Sequence, residues 1–134
     1  MNDIFKILKK LNIKAIRNGD VPVSAIITYN NKIIAKAYNM REYKKNPLYH
    51  AEILVIMKAA KKLNRWNLNG CVLYSTMKPC PMCLEVIKMS KIKNVYYFIN
   101  NDKKINYSFN LKEIETGDKN YFIKEIQDFF ADKR

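Results

Sequence analysis

The run HAEILVIMKAAKKLNRWNLNGCVLYSTMKPCPMC, residues 50–83, decides how this chain folds. From His50 onward, apolar residues recur at Ile53, Leu54, Ile56, Met57, Ala60 and Leu63, the spacing of a helix that buries one side. Gly70 punctuates the pattern, and Cys71 to Thr76 then reads as a short buried strand. Lys78-Pro79 stops that strand, and a second helical pattern runs from Cys80 to Met89. A helix, a buried strand and a helix in succession are the unit of a sheet covered by helices.

Outward from this run the alternation continues. Val23 to Tyr29 and Lys32 to Tyr38 read as an antiparallel hairpin turned at Asn30-Asn31, a dipeptide that tolerates positive φ. Residues 2–17 carry Ile4, Ile7, Leu8, Leu11 and Ala15 at helical spacing. Residues 39–49 are polar, and Pro47 makes them a loop that delivers the chain to His50. Downstream, Asn94 to Ile99 is another apolar strand and Tyr121 to Phe130 a final amphipathic helix. The order is α-β-β-α-β-α-β, then a stretch without clear period, then α, which predicts an α/β fold with helices on both faces of the sheet.

The chain has 134 residues, 49% of them apolar and 28% charged, with three Gly and four Pro, so one domain over residues 1–134 is expected. No apolar stretch approaches the 18 or more residues of a membrane span, and the first residues lack the apolar core of a secretory signal. A cytoplasmic location is therefore expected, where an odd set of three cysteines points to metal binding or catalysis rather than bridges. The net charge of +13 has two readings. It suits a polyanionic partner such as nucleic acid. It also suits codon bias toward A and T, since Lys, Asn and Ile are all abundant.

The chemistry-bearing residues fall at two helix starts. The only histidine lies in His50-Ala51-Glu52, and two of the three cysteines lie in Pro79-Cys80-Pro81-Met82-Cys83. Two helix N-termini facing one another can place one imidazole and two thiolates around a single ion. Zinc takes such N and S ligands, and three protein ligands leave its fourth position open, as a catalytic site requires. Glu52, two residues after His50, suits a proton shuttle for a metal-activated water. Cys71 as a fourth ligand would make the site structural, and Cys80 with Cys83 could form a redox pair. Strand geometry places Cys71 about 17 Å from the loop of Cys80, so Cys71 is expected in the core.

With these residues in view, the spacing of His50-Ala51-Glu52 and Pro79-Cys80-Pro81-Met82-Cys83 resembles the zinc-dependent cytidine and adenosine deaminase superfamily. Asp20-Val-Pro-Val-Ser-Ala25, Ala37-Tyr-Asn-Met-Arg-Glu42 and Leu73-Tyr-Ser-Thr-Met-Lys-Pro-Cys80 look like its bacterial tRNA-specific adenosine deaminase branch. The resemblance implies a three-layer α-β-α cytidine-deaminase-like fold with a central mixed five-stranded sheet. It also implies one Zn2+ per subunit held by His50, Cys80 and Cys83, with Glu52 as the catalytic proton shuttle. The implied substrate contacts are Asn39, Pro22, Val23, Ala51 and Pro79, with Phe130, or its neighbour Phe129, beside an anticodon loop; Tyr49, a departure from the branch's usual small residues, is expected at the pocket mouth. The implied reaction is hydrolytic conversion of adenosine to inosine at the wobble position of tRNA, by a homodimer. Deamination of a free base or nucleoside, guanine, cytosine or cytidine, is the alternative. Arg41, Lys44, Lys45, Lys88, Lys91 and Lys93 are candidate phosphate contacts. The chain departs from the branch's usual pattern at Ser24, Leu48-Tyr49 and Lys78, and in the segment from Asn100 to Asn120.

Overall fold

The computed structural model describes residues 2–101 and 109–132. The elements run α1 (Asn2–Arg17), β1 (Ser24–Tyr29), β2 (Lys32–Tyr38), α2 (Ala51–Leu63), β3 (Cys71–Met77), α3 (Pro81–Met89), β4 (Asn94–Ile99), β5 (Asn110–Glu113) and α4 (Asp118–Asp132). The strands form one mixed sheet in the order β2-β1-β3-β4-β5. β1 pairs antiparallel with both β2 and β3, whereas β3, β4 and β5 run parallel. The hairpin turn has Asn30 and Asn31 at φ 52° and 63°, as a tight turn matched to strand twist requires.

Side-chain alternation along the strands splits the core into two layers. On one face Ala25, Ile27, Leu73 and Val95 pack with Ala51, Val55 and Ala59 of α2 and Leu84 and Ile87 of α3. On the other, Ile26 and Phe98 pack with Ile4, Leu8 and Leu11 of α1 and Phe122 of α4. Three layers result, as expected. Phe98 and Phe122 are fully buried with ring centroids 5.1 Å apart, and Phe5 closes the cluster edge-on to Phe122 at 5.3 Å. Cys71 is buried in the core, paired opposite Tyr29.

Two details depart from the pattern reading. β5 is only four residues long and pairs on one side alone, too short to carry a period of two. α4 begins three residues earlier and ends two later than the apolar period marks. Of the divergent segment after Ile99, residues 102–108 lie outside the described residues. Ser24 has a structural use: its hydroxyl donates to Leu8 O at 3.1 Å, tying β1 to α1.

Candidate metal centre and its cavity

The chain turns of the sheet explain why the site forms. Tyr38, Met77 and Ile99 end their strands at one edge, because β1 is antiparallel to β2 and β3 while β4 is parallel to β3. The segments that leave β2 and β3 there open α2 and α3. His50 and Cys80 are the N-caps of these helices, with extended backbones (φ −70°, ψ 149° and φ −68°, ψ 167°). Each backbone carbonyl starts its helix, accepting from Leu54 N at 3.0 Å and Leu84 N at 2.9 Å. Neither side chain caps its helix, although the position favours Ser, Thr, Asp or Asn for that purpose. Pro81 at the first turn of α3 loses no needed hydrogen bond there.

Freed from capping, the side chains converge. One ligand atom each from His50, Cys80 and Cys83 lies within 4.8 Å of the others. Cys80 Sγ is 3.5 Å from Cys83 Sγ and 3.9 Å from His50 Nδ1. A tetrahedral ion with ordinary zinc bond lengths would hold two sulfurs about 3.8 Å apart and a sulfur and a nitrogen about 3.6 Å apart. The donor set therefore fits zinc in type and spacing. Cys71 is not in the group, and among the described residues no other cluster of this kind occurs.

The electrostatics suit a cation. Hydrogen bonding with Cys83 and His50 pushes the Cys80 thiol down to about 3, so this sulfur is a thiolate. The same contact with Cys80, together with burial, pushes the Cys83 thiol upward. The bond to Cys80 also raises His50, against the opposing effect of burial. A dication bound here would compensate both thiolates and draw off the protons that the candidate ligands still hold. Burial pushes the Glu52 carboxyl up to about 7, a value matched to accepting and returning protons near neutrality. Glu52 is 4% exposed, and its Oε1 is buried with no hydrogen-bond partner among the described residues.

A cavity of about 180 Å³ opens on these groups, lined by Val21, Val23, Asn39, Arg41, Met77, Lys78 and Asn101 together with His50, Glu52 and Cys80. Val23 and Asn39 were expected there. Asn39 also positions the site: its Oδ1 accepts from Ala51 N at 2.8 Å and its Nδ2 donates to Val21 O at 3.2 Å. Ala51 therefore spends its backbone N–H on Asn39. Pro22, Ala51 and Pro79 are buried next in chain to lining residues, and Tyr49 is half-buried outside the lining. The exposed Phe130 and the buried Phe129 both line an adjoining groove that shares Val21, Asn39 and Arg41 with the cavity. Pattern reading missed Val21, Met77, Asn101 and the buried Lys78 as lining residues, because nothing local marks which strand-end residues face a cavity. It also missed Asp20, whose carboxylate accepts from Glu42 N at 2.8 Å and Tyr43 N at 3.3 Å and so shapes the loop before His50.

The candidate phosphate contacts divide. Arg41 lines the cavity and Lys45 the adjoining groove. Lys88, Lys91 and Lys93 lie at the far end of α3, carried about 12 Å or more from Cys80 by the helix rise, so they do not flank the cavity.

Comparison with known proteins agrees with this geometry. A tRNA-specific adenosine deaminase of Bacillus subtilis (strain 168) is 43% identical over 84 residues, covering 63% of this chain and 52% of that protein. That of Rickettsia bellii (strain RML369-C) is 41% identical over 98 residues, covering 72% of this chain and 67% of that protein. The chain thus spans about half the length of the first of these relatives and two thirds of the second. A solved structure from a study of tRNA:A34 deaminases superposes with a TM-score of 0.76 at 22% identity, covering 84% of this chain and 98% of that one, and so shares the fold. A sequence model of one family matches residues 1–134 from end to end, and by that match the chain belongs to the MafB19-like deaminases.

Proposed function

We propose that this protein is a single-domain, zinc-dependent hydrolytic deaminase that converts adenosine to inosine at the wobble position of a tRNA anticodon loop. The observation that carries the reading is the convergence of His50, Cys80 and Cys83 beside the buried Glu52 carboxyl, whose Oε1 has no hydrogen-bond partner among the described residues, with His50, Glu52 and Cys80 lining one cavity. The tRNA substrate rests on the likeness to the two relatives above. His50, Cys80 and Cys83 would hold one zinc ion per subunit. When bound, that ion supplies Lewis-acid activation of a water for attack on the ring carbon bearing the amine.

Proton handling falls to Glu52. Its carboxylate accepts a proton from the attacking water and delivers it to the adjacent ring nitrogen; it then takes the remaining proton of the added hydroxyl and gives it to the departing amine, so ammonia leaves and a carbonyl remains. Val23 and Asn39 bound the ring, and Arg41 and Lys45 at the rim hold phosphates on either side of a splayed nucleotide. Phe130 offers an aromatic face to the loop. The protein works in the cytoplasm as a homodimer, for which the exposed Leu48, Met57 and Met82 in and before α2 and α3 provide apolar surface.

A free base is the second reading, favoured by the cavity's size: about 180 Å³ is room for one small ring and little else. The deciding experiment offers purified protein an adenosine-containing anticodon stem-loop RNA beside free guanine, cytosine, adenosine and cytidine, with Glu52→Ala as control. Inosine in the RNA, lost in the control, supports the tRNA reading. Turnover of a free base with intact RNA overturns it and leaves the deaminase chemistry standing.

A further inference from the structure

The end of the sheet opposite the cavity carries a surface that the deaminase chemistry does not use. α2 and α3 both finish there, and the loops that follow are joined by a hydrogen bond from Leu68 N to Ser90 O at 2.7 Å. Trp66, the chain's only tryptophan, is 67% exposed on the first loop, and Met89 is exposed at the end of α3. Around them stand Lys61, Lys62, Arg65, Lys88, Lys91 and Lys93, all exposed. Residues 58–70 and 87–94 contain no acidic residue, and among the described residues none of these six cations is in an ion pair.

Two ordinary explanations cover part of this. Lysine near a helix C-terminus favours the helix dipole, which accounts for Lys61, Lys62 and Lys88. Codon bias accounts for lysine in general. Neither accounts for a tryptophan held in water, nor for Arg65, which lies over the Tyr29 ring at 5.4 Å and is thereby fixed beside Trp66. An exposed aromatic face among cations outside any ion pair suits an unpaired polynucleotide stretch: bases stack on the ring while phosphates meet the cations. An anionic lipid surface would bury the ring in its interface and an acidic protein would pack against it, whereas only unpaired bases stack on its flat face.

We propose that this end of the molecule is a second polynucleotide contact, which takes an unpaired stretch of RNA with a base on Trp66 and phosphates on the surrounding cations. It lies about 20 Å from His50, the length of α2, so it is separate from the catalytic cavity. It goes beyond the deaminase reading and holds whichever ring the cavity accepts.

Because Trp66 is the sole tryptophan, its fluorescence reports this surface alone. Full-length protein is titrated with oligouridylate, which contains no amine to remove, and in parallel with polyglutamate. Stacking predicts quenching by the RNA that weakens as salt rises, and little change with polyglutamate. The triple variant Lys61→Gln/Lys62→Gln/Lys88→Gln should bind fluorescein-labelled oligouridylate at least about tenfold more weakly at low salt, with a salt slope shallower by about 2 from three lost contacts at about 0.7 each. Trp66→Leu, read by anisotropy of the same RNA, should weaken binding about tenfold. Circular dichroism checks that each variant is folded. Absence of quenching, equal response to polyglutamate, or undiminished affinity in both folded variants would overturn the proposal.

Discussion

Asn39→Ala should loosen the metal centre from behind. The Asn39 side chain joins two segments that no backbone ladder connects, accepting from Ala51 N at the start of α2 and donating to Val21 O before β1. Alanine leaves a fully buried N–H without partner, at about 1–3 kcal/mol, and a half-buried carbonyl, at about 0.5–1.5 kcal/mol, for a total of about 1.5–4.5 kcal/mol. With an unfolding entropy of about 2.1 cal/mol/K per residue, 134 residues give about 0.28 kcal/mol/K, so Tm should fall by about 5–16 °C. Asn39→Asp keeps the acceptor for Ala51 N and places its charge at a helix N-terminus, so it should lose less, under about 5 °C. Differential scanning calorimetry of the chelator-treated protein isolates this effect from metal binding. A Tm for Asn39→Ala within about 2 °C of the parent would refute the reasoning, since a water would then replace the amide at no net loss.

Glu52→Gln should lower turnover by about 10²–10⁴-fold while zinc content, measured by elemental analysis, stays at the parent level; loss of the metal with the activity would instead make Glu52 a ligand. Gly70 has φ +93°, and an added Cβ would lie 3.1 Å from Tyr29 Cε1. Gly70→Ala should therefore cost about 1–3 kcal/mol in urea unfolding, and a neutral result would show that the loop shifts freely. Burial raises the Glu125 carboxyl above its usual range, opposed by the hydrogen bond from Asn12 Nδ2. A raised carboxyl favours the folded state while protonated and loses that contribution as pH climbs through its folded value. Glu125→Gln, which keeps an acceptor for Asn12, should thus raise Tm by about 1–2 °C at pH 8 and by less at pH 4; a gain independent of pH would count against it.

Much of the fold was legible because burial imprints a period on each contiguous run. The apolar spacing of Ile4 to Ala15 and of Ile53 to Leu63 marked α1 and α2, and Asn30-Asn31 marked the hairpin turn. β5 escaped because four residues paired on one side leave no period to detect. The candidate metal ligands were legible for another reason. His50 and Cys80 occupy N-cap positions where a Ser, Thr, Asp or Asn would serve the helix better, so their chemistry stands out against local structural demand. The cavity wall was not legible, since Val21, Met77, Lys78 and Asn101 come from separate strand ends.

By itself the sequence determined the alternation of helices and strands and two local motifs, His50-Ala51-Glu52 and Cys80-Pro81-Met82-Cys83, that supply a candidate ligand set, each a property of residues a few positions apart. Only the tertiary structure decided that His50, Cys80 and Cys83 meet within 4.8 Å, and that Glu52 is dry enough to hold a proton near neutrality. It also decided that Arg41 stands at the cavity and Lys45 at the adjoining groove while Lys88, Lys91 and Lys93 stand at the other end with Trp66. The reason is physical: a period records which side of an element is buried, whereas distance, dielectric and net charge at a point depend on strand order and helix direction summed over non-local packing.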